Sequence, residues 1–287
     1  MSDEIQLEQV LEQGENTKEL RKQVEALQIA LAKMQEKRHY IIPVSSKNNT
    51  IRFGLIGDTH IGSHYERIDA LTEFYKLLEQ ERISTCLHAG DVLHGCKIYR
   101  GQEYETYAPG YDGQEQAVKE KYPETAVKTY FITGNHDYSF TKLIGMKVGE
   151  KLERVIPHSQ FIGTDAGAVD LKTEDGHVLK IGLLHPDGGT AYAISYKSQK
   201  QAEALPGGTK PDILGIGHYH KADHLPTFRN MHVFQVGCFE SQTPFMKRKG
   251  TPAHVGGWII EAVMGERKHL VSRVKAEFIA FYEPEER

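Results

Sequence analysis

The chain is poor in cysteine, with only Cys86, Cys96 and Cys238 among 287 residues. None of them pairs in a CxxC spacing, which excludes a disulfide scaffold and a thiolate zinc ribbon. Free thiols suit a reducing compartment, so a cytoplasmic location is expected. Long apolar runs are missing too. None approaches the roughly 18 residues that cross a bilayer, so no membrane association is expected. The opening MSDEIQLEQ is acidic and polar, unlike a secretory leader. Nor is there an excess of basic charge: 35 Lys and Arg face 39 Asp and Glu, a net of −4. That excludes a wholly basic nucleic-acid coat but leaves room for a local basic patch. No internal repeat or low-complexity tract occurs. What is present is globular material, 39% hydrophobic and 26% charged. A chain of this length buries roughly 75% of its unfolded surface, so one or two cored domains are expected.

Three textures follow one another. Residues 1–38 read as an N-terminal helix over 3–38, rich in Glu, Gln, Lys and Leu. Its Leu20, Val24, Leu27, Leu31 and Met34 recur at spacings of 4, 3, 4 and 3. This is an a/d seam, over barely two heptads. Packing on its own domain, a coiled coil that makes a homo-oligomer, and a remnant of a larger recognition module all fit it. Residues 39–50 read as a polar linker around Pro43. The domain that follows runs from 51 to about 282. IRFGLIGD (51–58), STCLHAGD (84–91) and TAVKTYFITGNHD (125–137) are strands ending in polar residues, and 66–83 has helical periodicity. Strand, helix, strand of this kind makes an α/β sheet, with functional groups beyond the carboxyl ends of the strands. The second half is more β-rich, with strands near 159–163, 167–172, 177–184, 212–217, 231–237, 257–264 and 269–280 and a helix near 190–204. Hairpin turns are expected at Glu174–Gly176 and Met264–Gly265.

Five blocks carry the chemistry: Asp58-Thr59-His60, Gly90-Asp91, Gly134-Asn135-His136-Asp137, His185, and Gly217-His218-Tyr219-His220. Each ends an apolar strand, and seven of the fifteen histidines lie in or beside them. Burying so many polar groups without metal or hydrogen bonds would cost several kcal/mol. Imidazole, carboxylate and one amide, with no thiolate, favour Mn²⁺, Fe or Zn²⁺. There are donors enough for two divalent ions if one carboxylate bridges. Two ions so placed are the usual device for hydrolysing phosphate esters.

In this order the blocks resemble the calcineurin-like metallophosphoesterase superfamily. The resemblance implies a four-layer α/β/β/α sandwich. It implies that Asp58, His60, Asp91 and His220 hold one metal, and that Asp91, Asn135, His185 and His218 hold the other, with Asp91 bridging. His136 would protonate the leaving oxygen or stabilise the charged phosphorane, and Asp137 would orient its neighbours. One position departs from the serine/threonine phosphatase branch, which has an Asp three residues after the second-block Asp. Here it is His94, which is similar to the double-strand-break-repair nuclease branch, as is Asp58-Thr59-His60-Ile61-Gly62. His94 is therefore expected either to reach the phosphate and favour diesters or merely to cap the following loop.

Three secondary features accompany the blocks. Residues 96–123 form a long insertion with Tyr99, Tyr104, Tyr107, Tyr111 and Tyr122, whose rings would stack on bases or pack the loop. Gly188-Gly189 before a helix, followed by Lys197 and Lys200, would make a phosphate wall or a plain turn. Met246-Lys247-Arg248-Lys249 is a short basic run, either a phosphate-backbone contact or a solvated loop. The expected activity is hydrolysis of phosphodiesters, nucleic acid included. A phosphomonoesterase or small-nucleotide phosphodiesterase is the rival enzyme, and a catalytically silent scaffold the rival from another class. A scaffold should have lost ligands, and here every ligand position is filled.

Overall fold

The computed structural model describes residues 39–189, 191–267 and 270–282. The helix expected over 3–38, with its seam, lies outside them. The first half contains β1 (His39–Pro43), β2 (Thr50–Ile56), α1 (Ile68–Gln80), β3 (Thr85–His88), α2 (Gly110–Lys121), β4 (Lys128–Thr133), α3 (Asn135–Ile144), α4 (Val148–Glu153) and β5 (Ser159–Thr164). Then follow β6 (Ala166–Lys172), β7 (Val178–Leu184), α5 (Tyr196–Ala204), β8 (Ile213–Ile216), β9 (Ala222–Phe228), β10 (Met231–Val236), α6 (Pro244–Lys249), β11 (Gly256–Met264) and β12 (Val271–Ala280). Among the described residues no helix is long and apolar enough to cross a membrane.

The strands form two six-stranded sheets, ordered β12-β11-β2-β3-β4-β5 and β1-β6-β7-β8-β10-β9. In the first, β2 to β5 run parallel, and all four residues of β3 and the last five of β4 are buried. That double-sided burial is why their sequences are continuous apolar runs. In the second, β7, β8 and β10 are parallel, flanked by antiparallel β6 and β9. The two sheets share a core that includes Phe53, Leu55, Leu87, Ile132, Val169, Ile181, Phe234 and Ile260. On the outer face of the first sheet α1 buries Ala70, Leu71, Phe74, Tyr75 and Leu78. Those residues fall on one stripe at helical spacing, and each large one contributes about 1.5–3 kcal/mol. Helices α2, α3 and α4 join it there, while α5 covers the second sheet through Ala202. The result is the expected α/β/β/α sandwich.

Both expected hairpins are present, β6–β7 and β11–β12. Four expectations need correction. The linker at 39–50 is not a linker throughout, because His39–Pro43 pairs in parallel with β6 and buries Ile42 and Val44. The alternation of that short segment around Pro43 hid an edge strand, where a proline is tolerated. The insertion at 96–123 holds α2 and is not structureless. The helix near 190–204 starts only at Tyr196, so Gly188-Gly189 do not open it. The basic run at 246–249 lies within α6, which Thr243 caps by accepting from Met246 N.

Candidate metal centre

The parallel strands β2, β3, β4, β7 and β8 end at one place, and their following loops carry all five blocks. The loops are stitched together by backbone. Asp58 N donates to Gly90 O (2.9 Å), and Thr59 N to Asp91 O (2.9 Å). Buried His88 braces them: its Nδ1 accepts from Gly90 N (3.2 Å) while Nε2 meets Thr59 Oγ1 (3.2 Å). Five of the seven expected ligands, Asp58, His60, Asp91, His218 and His220, have left-handed backbones with φ between 45° and 80°. None is glycine, so each costs of order 1–3 kcal/mol. Strain concentrated on ligand positions marks a site whose side-chain directions outweigh backbone comfort.

Two donor clusters result. Asp58, His60 and His220 bring ligand atoms within 4.8 Å of one another, and so do Asp91, His185 and His218. His185 donates Nδ1–H to Ala89 O (2.7 Å), which turns Nε2 towards Asp91 Oδ2 (3.0 Å) and Asn135 Oδ1 (3.1 Å). His218 uses the opposite tautomer. Its Nε2–H donates to Gly188 O (2.6 Å), leaving Nδ1 bare at 2.9 Å from Asn135 Oδ1. Such second hydrogen bonds are how proteins aim imidazole ligands. In the other cluster His60 Nε2 and His220 Nε2 face each other at 3.0 Å. Asp58 Oδ1 lies 3.9 Å and 3.5 Å from them, and its carboxylate is held by His218 N. Asp91 joins the clusters. Its Oδ1 accepts from His136 N (2.8 Å), while Oδ2 sits 3.0 Å from His185 Nε2 and 3.8 Å from His60 Nε2.

These residues fit two divalent ions. A bare nitrogen beside a carbonyl oxygen, or two neutral imidazole nitrogens nose to nose, repel unless a cation lies between them. Burial holds His60 well below the usual imidazole range and His220 down at about 3, so neither supplies that cation by protonation. His218 is lowered to about 4 by burial and by His185. His185 differs. Burial opposes its charge, but the charge and hydrogen bond of Asp91, with Asp58 adding, lift it to about 10. Ion binding therefore displaces a proton there.

His136 lies at the head of α3, its ring 4.5 Å from that of His60. Nδ1–H donates to His94 O (2.6 Å), which leaves Nε2 for a proton. Asp137 is an anchor: its carboxylate accepts from Val92 N (3.1 Å), Leu93 N (2.8 Å) and Gly134 N (2.9 Å). It orients its neighbours and touches no ligand space. His94 differs from the expectation that its ring reaches the phosphate. Only 1% exposed, it is not among the residues lining the cavity. It acts on the site through the carbonyl that holds His136.

The cavity over the centre encloses about 520 Å³. Besides the donors it is lined by Gly188, Glu240 and Lys249, and by Tyr99 and Phe245. Glu240 escaped the sequence reading. Its carboxylate lies 3.7 Å from His94 Nδ1 and 3.9 Å from His220 Nδ1, and burial pushes it up to about 8. A lone Glu in CFESQ gave no signal. The expected phosphate wall is only partly made, since Lys200 pairs with Glu203 (3.0 Å) and Gly188 serves His218 by its carbonyl.

Residues 51–222 match the family model described as calcineurin-like phosphoesterase. The chain belongs to the calcineurin-like phosphoesterase family. The match contains every donor, from Asp58 to His220. No curated protein matches the chain. Among solved structures it is similar to wild-type Vps29 of Entamoeba histolytica complexed with Zn²⁺, at 15% identity, covering 81% of this chain and 100% of that one, with a TM-score of 0.36. It is similar to a predicted phosphoesterase of Streptococcus pneumoniae, at 12% identity, 80% and 98% coverage and a TM-score of 0.38. A third is GAP50, the anchor in the inner membrane complex of Plasmodium, at 10% identity, 82% and 90% coverage and a TM-score of 0.44. As a calcineurin-like phosphoesterase the chain has the donor set for divalent ions and, with it, the general means of phosphoester hydrolysis.

Proposed function

We propose that this calcineurin-like phosphoesterase is a phosphodiesterase working with two divalent ions, and that nucleic acid is its substrate. Mn²⁺ is the first candidate, with Fe and Zn²⁺ also suited. The observation that carries the reading is Asp91: one carboxylate facing two donor clusters, its other oxygen tied to the backbone of His136. Asp58, His60, Asp91 and His220 would hold one ion, and Asp91, Asn135, His185 and His218 the other. When bound, the ions supply Lewis-acid polarisation of the phosphoryl group and lower the pKa of water. The chain's own residues do the rest. Ala89 O and Gly188 O fix the imidazole tautomers, Asp137 clamps the two loops, and His94 O aims the His136 ring. His136 then gives its Nε2 proton to the leaving ester oxygen, a contribution of about 10²–10⁴ in rate.

The lining favours a diester. Lys249 is the only lysine or arginine among the described lining residues. A doubly charged monoester would ask for more cationic donors, commonly bidentate arginine. Kinship with the double-strand-break-repair nucleases is part of this proposal, resting on Asp58-Thr59-His60-Ile61-Gly62 and on His94. A silent scaffold is disfavoured by the filled ligand set. The test is chelator-stripped protein, reloaded with each ion and assayed on bis-p-nitrophenyl phosphate, p-nitrophenyl phosphate and single- and double-stranded DNA and RNA. Faster turnover of the diester, restored by metal, is expected. A preference for the monoester would overturn the diesterase reading, and no turnover with any ion would favour the scaffold.

A further inference from the structure

One end of the cavity is aromatic, which phosphoryl transfer itself does not require. Tyr99, from the insertion after Asp91, and Phe245, from α6, stack with centroids 4.2 Å apart and planes 17° apart. Both are half-buried and both line the cavity. Two constraints hold the pair. The Tyr99 hydroxyl donates to Glu105 Oε2 (2.7 Å), which removes its polar end from the cavity, and Thr243 fixes the start of α6. The Tyr99 ring lies 6.5 Å from that of His136, and Lys249 Nζ lies 5.9 Å from the Phe245 ring. The other tyrosines of the insertion are committed elsewhere. Tyr107 binds Glu66 and Lys121, Tyr111 packs on Phe140, Tyr122 bonds Tyr75, and Tyr104 is 83% exposed.

We propose that the Tyr99–Phe245 pair is a nucleobase subsite, and that it takes the base of the leaving nucleoside. The existence of the subsite rests on the cavity; its assignment to the leaving side rests on the phosphodiesterase reading above, in which His136 protonates the leaving oxygen. A flat apolar surface sits about one sugar's length from a phosphate-binding centre, beside an unpaired lysine. A planar ring joined to a phosphate through a sugar matches all three features. Sequence-tolerant stacking is how aromatic side chains hold bases, at about 5- to 150-fold in affinity per base. The 520 Å³ volume is more than a phosphate needs and falls within the range of small-ligand pockets.

The test uses the full chain loaded with Mn²⁺ and two kinds of probe. By calorimetry, thymidine 5′-monophosphate should bind about 5- to 150-fold more tightly than deoxyribose 5-phosphate. Phe245→Ala and Tyr99→Leu should each cut that preference, and Phe245→Trp, which keeps a stacking face, should retain it. In kinetics, dinucleotides lacking one base are compared with the intact dinucleotide. Loss of the base on the leaving nucleoside should raise KM by a similar factor, and loss of the other base should matter little. Equal binding of nucleotide and sugar phosphate, or a preference that survives Phe245→Ala, overturns the subsite. A larger loss on the retained side overturns its orientation. If no dinucleotide is cut, the diesterase reading fails by itself, and the calorimetry still decides the subsite.

Discussion

Replacing Gly134 by alanine changes no donor, yet it should weaken both halves of the centre. A Cβ at this position would lie 2.3 Å from Asp91 Oδ1 and 2.6 Å from His185 Cδ2. Atoms do not rest that close, so the bridging carboxylate, the imidazole or the turn itself must move. The backbone is not the obstacle, because φ is −119° and suits any residue. Nor can the neighbours yield freely. Asp91 Oδ1 is tied to His136 N and His185 Nδ1 to Ala89 O. Inserting a carbon into such packing costs about 1–3 kcal/mol. If that cost falls on the ion-bound form, affinity drops about 5- to 150-fold. Calorimetric titration of chelator-stripped protein with Mn²⁺ reads it directly. Gly207→Ala is the control, since nothing lies within 4 Å of its Cβ. Gly134→Ala binding Mn²⁺ as tightly as the control would refute the view that close packing around Asp91 sets the site.

Other outcomes follow from the same geometry. His136→Asn should keep both ions and lose about 10²–10⁴ in kcat; loss of metal on elemental analysis would make it a ligand instead. His94→Ala keeps the carbonyl that holds His136 and removes a ring that does not line the cavity. It should therefore lower kcat/KM for bis-p-nitrophenyl and p-nitrophenyl phosphate in equal proportion, and a selective loss on the diester would put the ring at the phosphate after all. Stability should depend on pH through His224, which stacks on Phe234 at 4.1 Å and which burial and His232 lower to about 4. The unfolded chain takes up a proton near pH 6.5 that the folded chain resists, so this contribution is full above about pH 6.5 and is lost as pH falls towards about 4. His224→Phe should flatten the fall in urea midpoint between pH 7 and pH 5; an unchanged slope would contradict it.

The donors were legible in the sequence because each ends an apolar strand in a loop, and parallel strands deliver their loops to one edge. Seven residues scattered from 58 to 220 could thus be grouped before any contact was known. His94 was misjudged for a related reason. Three residues past Asp91 the chain has turned inward, and sequence spacing does not say on which side of His136 a ring falls. The edge strand at His39–Pro43 was hidden by its brevity and its proline, since its pairing partner lies about 130 residues away. Phe245 and Glu240 gave no sign. Their meaning comes from which ring or imidazole they meet, and those partners lie at 99, 94 and 220. The tyrosine-rich insertion pointed to the right region, but only packing distinguished Tyr99 from four tyrosines with other partners or none.

The account turns on one carboxylate serving two ions. Asp91→Asn keeps an oxygen for the His136 amide and puts an NH₂ group where Oδ2 faced both clusters. Counting bound Mn²⁺ per chain by elemental analysis after equilibrium dialysis is the direct measurement. Wild type should hold two ions, and Asp91→Asn should hold neither at the same free concentration. A wild type holding fewer than two, or a variant that keeps one ion at undiminished affinity, would contradict the bridged centre.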